Sequence, residues 1–238
     1  MTMISNNLQR VHARIAAACT ESRRATAGVL LLAVSKTFGA DAVREAAAAG
    51  QIAFGENYIQ EAVAKIQALQ GAGLQWHCIG PVQSNKSRLV AEHFDWVHTV
   101  DRLKLAERLS AQRPAHLPPL NVCIQVNIDG GPTKSGVAPA DVAALVRAIV
   151  ALPGLRLRGL MTIPGVAPDF AAQCAVHACA KAIFDAVKAD LQGTALTEGA
   201  AADFDTLSMG MSADLEAAIH SGSTLVRVGS AIFGVRAP

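Results

Sequence analysis

No Cys-x-x-Cys pair occurs among the five cysteines (Cys19, Cys78, Cys123, Cys174 and Cys179), and their number is odd. That pattern excludes a zinc ribbon and a closed disulfide framework, and it fits reduced thiols in a cytoplasmic protein. Charge of one sign is scarce as well: the formal net charge is +2, and the lysines and arginines are dispersed. A nucleic-acid surface built on a basic stripe is therefore not expected. No uninterrupted apolar run approaches the roughly 20 residues of a membrane span, and the N-terminus has no secretory core, so no membrane association is expected. Aromatics make up 4% of the chain, with Tyr58 the single tyrosine. Aliphatic residues are plentiful, since 51% of the 238 residues are hydrophobic, and a large core needs no covalent staples. No linker, low-complexity tract or sequence repeat divides residues 1–238, which read as a single domain.

The chain is organised around Gly28-Val-Leu-Leu-Leu-Ala-Val-Ser-Lys36. An unbroken apolar run followed by Thr37-Phe-Gly39 reads as a strand buried on both faces. Lys36 then stands at the carboxyl end of a parallel strand, where α/β proteins place ligand chemistry. Desolvation of an ammonium in such a place favours the neutral, nucleophilic amine. Taken alone, a lysine snorkelling from a strand end is the commoner arrangement. Further strands are expected over 51–54, 74–79, 95–100, 120–128, 155–163, 206–209 and 224–228. Helices are expected between them, with Asp101, Asp141 and Ser212 as candidate caps and a long helix over 169–191. Before the first strand, Leu8, Val11, Ile15 and Ala18 have the spacing of a helix face. Arg10, Arg14 and the absence of acids there also suit a transit peptide, but an extra N-terminal helix packed on the fold is the preferred reading. Eight strand–helix units in this length predict one (β/α)₈ TIM barrel.

Polar residues gather where the strands end: Lys36, Asn57, the 80–86 loop, Asn127, Thr162, Ser208, Arg227, Gly229 and Ser230. Ser208-Met-Gly-Met-Ser212 and Arg227-Val-Gly-Ser230 follow strands seven and eight, where barrels often bind phosphate through glycine backbone and serine hydroxyls. A nucleophilic lysine facing a phosphate site suggests a phosphorylated aldehyde held as a Schiff base, and pyridoxal 5′-phosphate (PLP) meets that description. A class I aldolase shares the pairing of lysine and phosphate. His77 is expected as a hydrogen-bonded core histidine, Trp76 and Trp96 as core residues, and Lys86 and Lys134 as rim-loop lysines.

Ala33-Val-Ser-Lys36, Phe54-Gly-Glu-Asn-Tyr58, Trp76-His-Cys-Ile-Gly-Pro-Val-Gln-Ser-Asn-Lys86, Lys134-Ser-Gly136, Arg158-Gly-Leu-Met161, Leu207-Ser-Met-Gly-Met-Ser212 and Val226-Arg-Val-Gly-Ser-Ala-Ile-Phe-Gly234 form an ordered set spanning the chain. In these the sequence resembles the YggS/PROSC family of PLP-binding homeostasis proteins. The resemblance implies a barrel of the alanine-racemase type that binds PLP on Lys36. It implies that Arg227 faces the pyridine nitrogen, that Ser208, Gly229 and Ser230 hold the phosphate, and that Asn57 lies beside the ring. Phe38 stands where many members carry a second lysine, and Ser230 where threonine is frequent. Racemases of this fold use a tyrosine from a second β domain; with the sequence ending at Pro238, no such C-terminal domain is expected. The expectation is a cytoplasmic, monomeric protein that stores PLP and delivers it to PLP-requiring apo-enzymes, without catalysis. A racemase or lyase using Lys36 as its only base is the alternative. A PLP-free barrel that binds a phosphorylated metabolite or a protein partner is a third reading.

Overall fold

The computed structural model describes residues 2–131, 134–193 and 198–234. Pro132 of the Gly-Gly-Pro loop and Pro238 lie outside the described residues. Eight parallel strands close into a barrel in sequence order, with β8 paired back on β1. They are β1 (Leu30–Val34), β2 (Ala53–Glu56), β3 (Gln75–Cys78), β4 (Trp96–Val100), β5 (Leu120–Val126), β6 (Leu155–Thr162), β7 (Thr206–Ser208) and β8 (Leu225–Val228). The expected barrel is thus the observed one, with strand ends displaced by one or two residues.

An amphipathic helix, α1 (Met3–Glu21), precedes the barrel and buries Leu8, Val11, Ile15 and Ala18, the stripe its spacing predicts. Thr2 caps it by accepting from the Ser5 N–H. Its Arg14 forms a two-pronged bond to Glu216 and donates to the Ser212 carbonyl, which ties α1 to the segment after β7. The crossover helices are α2 (Ala40–Ala48), α3 (Ile59–Ala68), α4 (Ser87–His93), α5 (Leu103–Gln112), α6 (Val142–Val150) and α7 (Phe170–Gln192), followed by α8 (Glu198–Asp203), α9 (Leu215–His220) and α10 (Ser230–Phe233). Among the described residues α7 alone is long and apolar enough in composition to cross a membrane; it carries Lys181 and Asp185, and it packs on α8 and α9.

Of the three expected caps, Asp141 holds its position and the other two fail. Asp101 precedes the true N-cap of α5, Arg102, and pairs with its guanidinium. Asp141 is the N-cap of α6 but makes no side-chain cap bond, because a Pro139–Asp141 turn already leads the chain into the helix. Ser212 gives way to Asp214, which begins α9 and accepts the Met211 N–H. The long helix expected from Asp169 begins one residue later, and Asp169 caps it, accepting from the Ala172 N–H at 2.8 Å.

Candidate functional site

The carboxyl ends of β1 and β8 lie side by side, and they bring the first-strand lysine to the eighth-strand turn. A cleft of about 260 Å³ opens there, lined by Lys36, Phe38, Gly229 and Ser230 among others. A Cβ at Gly229 would stand 3.2 Å from the Val34 carbonyl oxygen, so glycine lets the two strand ends meet. Ser230 then opens the single turn α10, whose first N–H groups have no intrahelical acceptor. Phe38, at the position of the missing second lysine, stacks on Phe233 with centroids 5.2 Å apart. It fastens the Lys36 loop to α10 by an aromatic contact.

The residues flanking Lys36 are held from below. Ser35 is fully buried, and its hydroxyl donates to Glu56 Oε1 at 2.6 Å. Lys65 Nζ donates to the Ser35 carbonyl and to Glu56 Oε1, both at 2.8 Å, and pairs with Glu61 at 2.6 Å. Glu61 in turn accepts the Thr37 N–H at 2.7 Å, which fixes Thr37 in the left-handed region at φ 68°. That conformation is costly for a non-glycine residue. The turn carrying Lys36 is thus gripped on both sides by one ionic cluster, buried at Glu56 and Lys65 and partly exposed at Glu61. Burial raises the Glu56 carboxyl above its ordinary range, against the opposing pull of Lys65 and Ser35. Nothing in the linear pattern marked Glu56 or Lys65 as partners of this turn. Their Glu-x₈-Lys spacing has no periodic meaning until β2 and α3 are folded together.

Asn57 lines a second groove with Tyr58 and Lys86. Gly80 sets its place: a Cβ there would lie 2.2 Å from the Asn57 carbonyl oxygen, so only glycine allows the 80–86 loop this close. Arg227, on β8, points into the barrel and is 4% exposed. It donates to Ser208 Oγ and to the Thr162 carbonyl, each at 2.8 Å. Burial pulls its pKa down to about 10, against the attraction of Asp214 and Cys123. It remains a cation at neutral pH. Ser208, expected on the phosphate, does not line the cleft; its hydroxyl is fully buried and bonded to Arg227 and His98. Lys134 pairs with Asp129, which also accepts the Gly165 N–H at 2.7 Å and so joins the loops after β5 and β6. His77, Trp76 and Trp96 are buried as expected.

The donor set suits PLP. Asn57 Oδ1, Asn127 Oδ1 and Thr162 Oγ1 are buried at the ends of β2, β5 and β6 without a protein hydrogen-bond partner among the described residues. Unpartnered polar atoms of this kind call for a polar ligand. An amine, a guanidinium with spare N–H groups and a glycine–serine turn complete a set that matches an aldehyde, a ring nitrogen and a phosphate.

A closed parallel barrel with a lysine ending its first strand and an anion-suited turn ending its eighth defines the class, the barrel of alanine-racemase type. The family model described as "Alanine racemase, N-terminal domain" matches residues 7–237. The chain is 54% identical over 236 residues to the pyridoxal phosphate homeostasis protein of Pseudomonas aeruginosa, covering 99% of this chain and 97% of that protein. It is 52% identical over 239 residues to the pyridoxal phosphate homeostasis protein of Escherichia coli, covering 99% and 98%. The structure of PipY from Synechococcus elongatus with PLP bound superposes with a TM-score of 0.81 at 35% identity, covering 97% of this chain and 100% of that one. The chain belongs to the YggS/PROSC family of pyridoxal phosphate homeostasis proteins.

Proposed function

We propose that this protein binds PLP and serves in its homeostasis, holding the cofactor and releasing it to apo-enzymes that require it. The observation that carries this reading is the shared cleft of Lys36, Gly229 and Ser230. The bound cofactor supplies an electrophilic aldehyde and an electron-poor ring. Lys36 Nζ is the amine that would hold it covalently, and the Gly229–Ser230 turn is the anchor for its phosphate. Arg227 would meet the ring nitrogen and Asn57 the ring's edge. Ser208 enters through Arg227 instead of through the phosphate.

A guanidinium opposite the ring nitrogen supports carriage over turnover, because a donor that keeps its own proton leaves the nitrogen unprotonated and the ring a weak electron sink. The names of the similar proteins point the same way. A monomer in the cytoplasm completes the reading, with Cys19, Cys78, Cys123, Cys174 and Cys179 kept as free thiols.

The test is transfer. Protein loaded with PLP and freed of excess by gel filtration is mixed with an apo-enzyme that requires PLP, and the recovery of that enzyme's activity is followed. Recovery, with no racemisation of L-amino acids by the loaded protein alone, is expected. Loss of all PLP on the column, or amino-acid turnover at enzymatic rates, would overturn the proposal.

A further inference from the structure

A continuous line of polar side chains, half-buried at Gln75 and buried from His77 onward, crosses the barrel lumen, and the binding role described so far uses only its last two members, Ser208 and Arg227. Gln75 Oε1 lies 3.0 Å from His77 Nε2, and His77 Nδ1 lies 2.9 Å from His98 Nε2. His98 Nδ1 lies 3.0 Å from Ser208 Oγ, which accepts from Arg227 Nη1 at 2.8 Å. His77, His98 and Ser208 are each fully buried. The line therefore runs from β3 and β4 across to β7 and β8.

Its protons can be assigned from one end. Arginine only donates, so Ser208 Oγ accepts from Arg227, and the hydroxyl proton goes to its remaining partner, His98 Nδ1. His98 then carries its own proton on Nε2 and donates to His77 Nδ1. His77 in turn donates from Nε2 to Gln75 Oε1, where the line ends on an acceptor. Each imidazole has one donor and one acceptor, which is what a neutral ring offers. Burial keeps both rings neutral: it lowers His77 to about 3, and it lowers His98 well below the ordinary histidine value, with His77 and Arg227 adding to the effect. A proton added to His98 would set an N–H against Ser208 and strand the serine hydroxyl without an acceptor. Trp96 stacks on His77 at 5.1 Å and 8°, which fixes the plane of that ring.

The consequence falls on Arg227. Its bonded acceptors, the Ser208 hydroxyl and the Thr162 carbonyl, are both neutral, so their orientation decides where its remaining N–H groups point. A lone serine could rotate its proton toward the guanidinium; the imidazole holds that proton away. We infer that His98, seated by His77 and Gln75, is a positioning residue that fixes the Ser208 oxygen toward Arg227 and so aims Arg227 at the ring nitrogen of bound PLP. The aim rests on the PLP reading above, whereas the state of His98 is a property of the cofactor-free protein.

Two measurements separate these layers. Long-range nitrogen–proton NMR of the cofactor-free, histidine-labelled protein at pH 7 is expected to show His98 with a bare Nδ1 and a protonated Nε2; the opposite tautomer, or a doubly protonated ring, would overturn the inference. PLP titrations of His98→Leu, His98→Asn and Ser208→Ala then read the positioning. Leucine removes the acceptor facing Ser208, and asparagine restores one. His98→Leu is expected to weaken PLP binding on the order of tenfold and to shift its visible band, as loss of a bond to a charged group would. Asparagine should recover most of both, and the His98→Leu/Ser208→Ala double variant should be no weaker than Ser208→Ala alone. Unchanged affinity and band in His98→Leu, even with a lowered melting temperature, would reduce His98 to packing and overturn the role. A parent protein that binds no PLP would overturn the functional reading and the aim of Arg227, while the tautomer result would still report whether the line of bonds exists.

Discussion

Replacing Lys65 by methionine would leave Glu56 in a fully buried position with no cation, since the two side chains are 5% and 0% exposed and bonded at 2.8 Å. Among the described residues Glu56 Oε2 already lacks a partner, so Oε1 would keep only the Ser35 hydroxyl. Removing one member of a buried ion pair costs about 3–5 kcal/mol. For a chain of this length each kcal/mol lowers the melting temperature by about 2–4 °C, which gives a fall of roughly 6–20 °C for Lys65→Met. Glu56 already titrates above the ordinary carboxylate range because of its burial, and loss of Lys65 raises it further. A folded-state pKa above the unfolded one, near 4.3, penalises folding only above that unfolded value. The deficit of Lys65→Met against the parent is therefore largest near pH 8 and shrinks toward pH 5. Adding Glu56→Gln removes the stranded charge and should restore more than half of the loss. Thermal melts of the parent, the single and the double variants at both pH values decide the matter. A single variant that melts within 2 °C of the parent at pH 8 (against the roughly 6 °C minimum above), or a deficit that grows as pH falls, would refute the reasoning.

Gly80→Ala drives a Cβ into the Asn57 backbone at 2.2 Å, so overpacking of about 1–3 kcal/mol and weaker PLP binding are expected; an unchanged melting curve and affinity would contradict the fit of that loop. Phe38→Lys loses the stack on Phe233, worth about 0.5–1.5 kcal/mol, and places a cation on the cleft. Thermal melts and PLP titration should show lower stability with tighter binding, and a fall in both would count against a vacant cationic position there. Cys78 and Cys123 are fully buried, and burial pushes both thiols up to about 12, whereas Cys179 is exposed. Brief alkylation of the native protein followed by peptide mass spectrometry should label Cys179 and spare the other two; rapid labelling of Cys78 would show the barrel to be looser than described.

The architecture was legible because β1 announces itself by an unbroken apolar run and the later strands, though interrupted by polar residues, alternate with helical segments along the whole chain; Lys36 sits just past β1, and Gly229 and Ser230 just past β8. Helix starts were harder to read. Asp101 and Ser212 have the right chemistry for a cap, but Arg102 and Asp214 occupy the position, because the chain's exit from β4 and β7 fixes where the helical turn begins. The surroundings of Ser208 were hard to read for a related reason: its sequence neighbours Met209-Gly210 suit an anion loop, while its side chain turns into the lumen toward His98. His77 reads correctly from sequence as a hydrogen-bonded core histidine, but its partner lies 21 positions away on the next strand, and the line continues 110 positions further to β7. Pairings across a barrel lumen follow from strand order and pleat, which linear spacing does not carry.

The most direct test is the visible spectrum of the purified protein titrated with PLP, beside Lys36→Ala, with borohydride reduction and peptide mass spectrometry to locate the linkage. The expected result is a visible band in the parent that is absent from Lys36→Ala, and a reduced PLP adduct on the peptide containing Lys36. A band that survives in Lys36→Ala, or an adduct found only on Lys86 or Lys134, would contradict Lys36 as the residue that holds the cofactor.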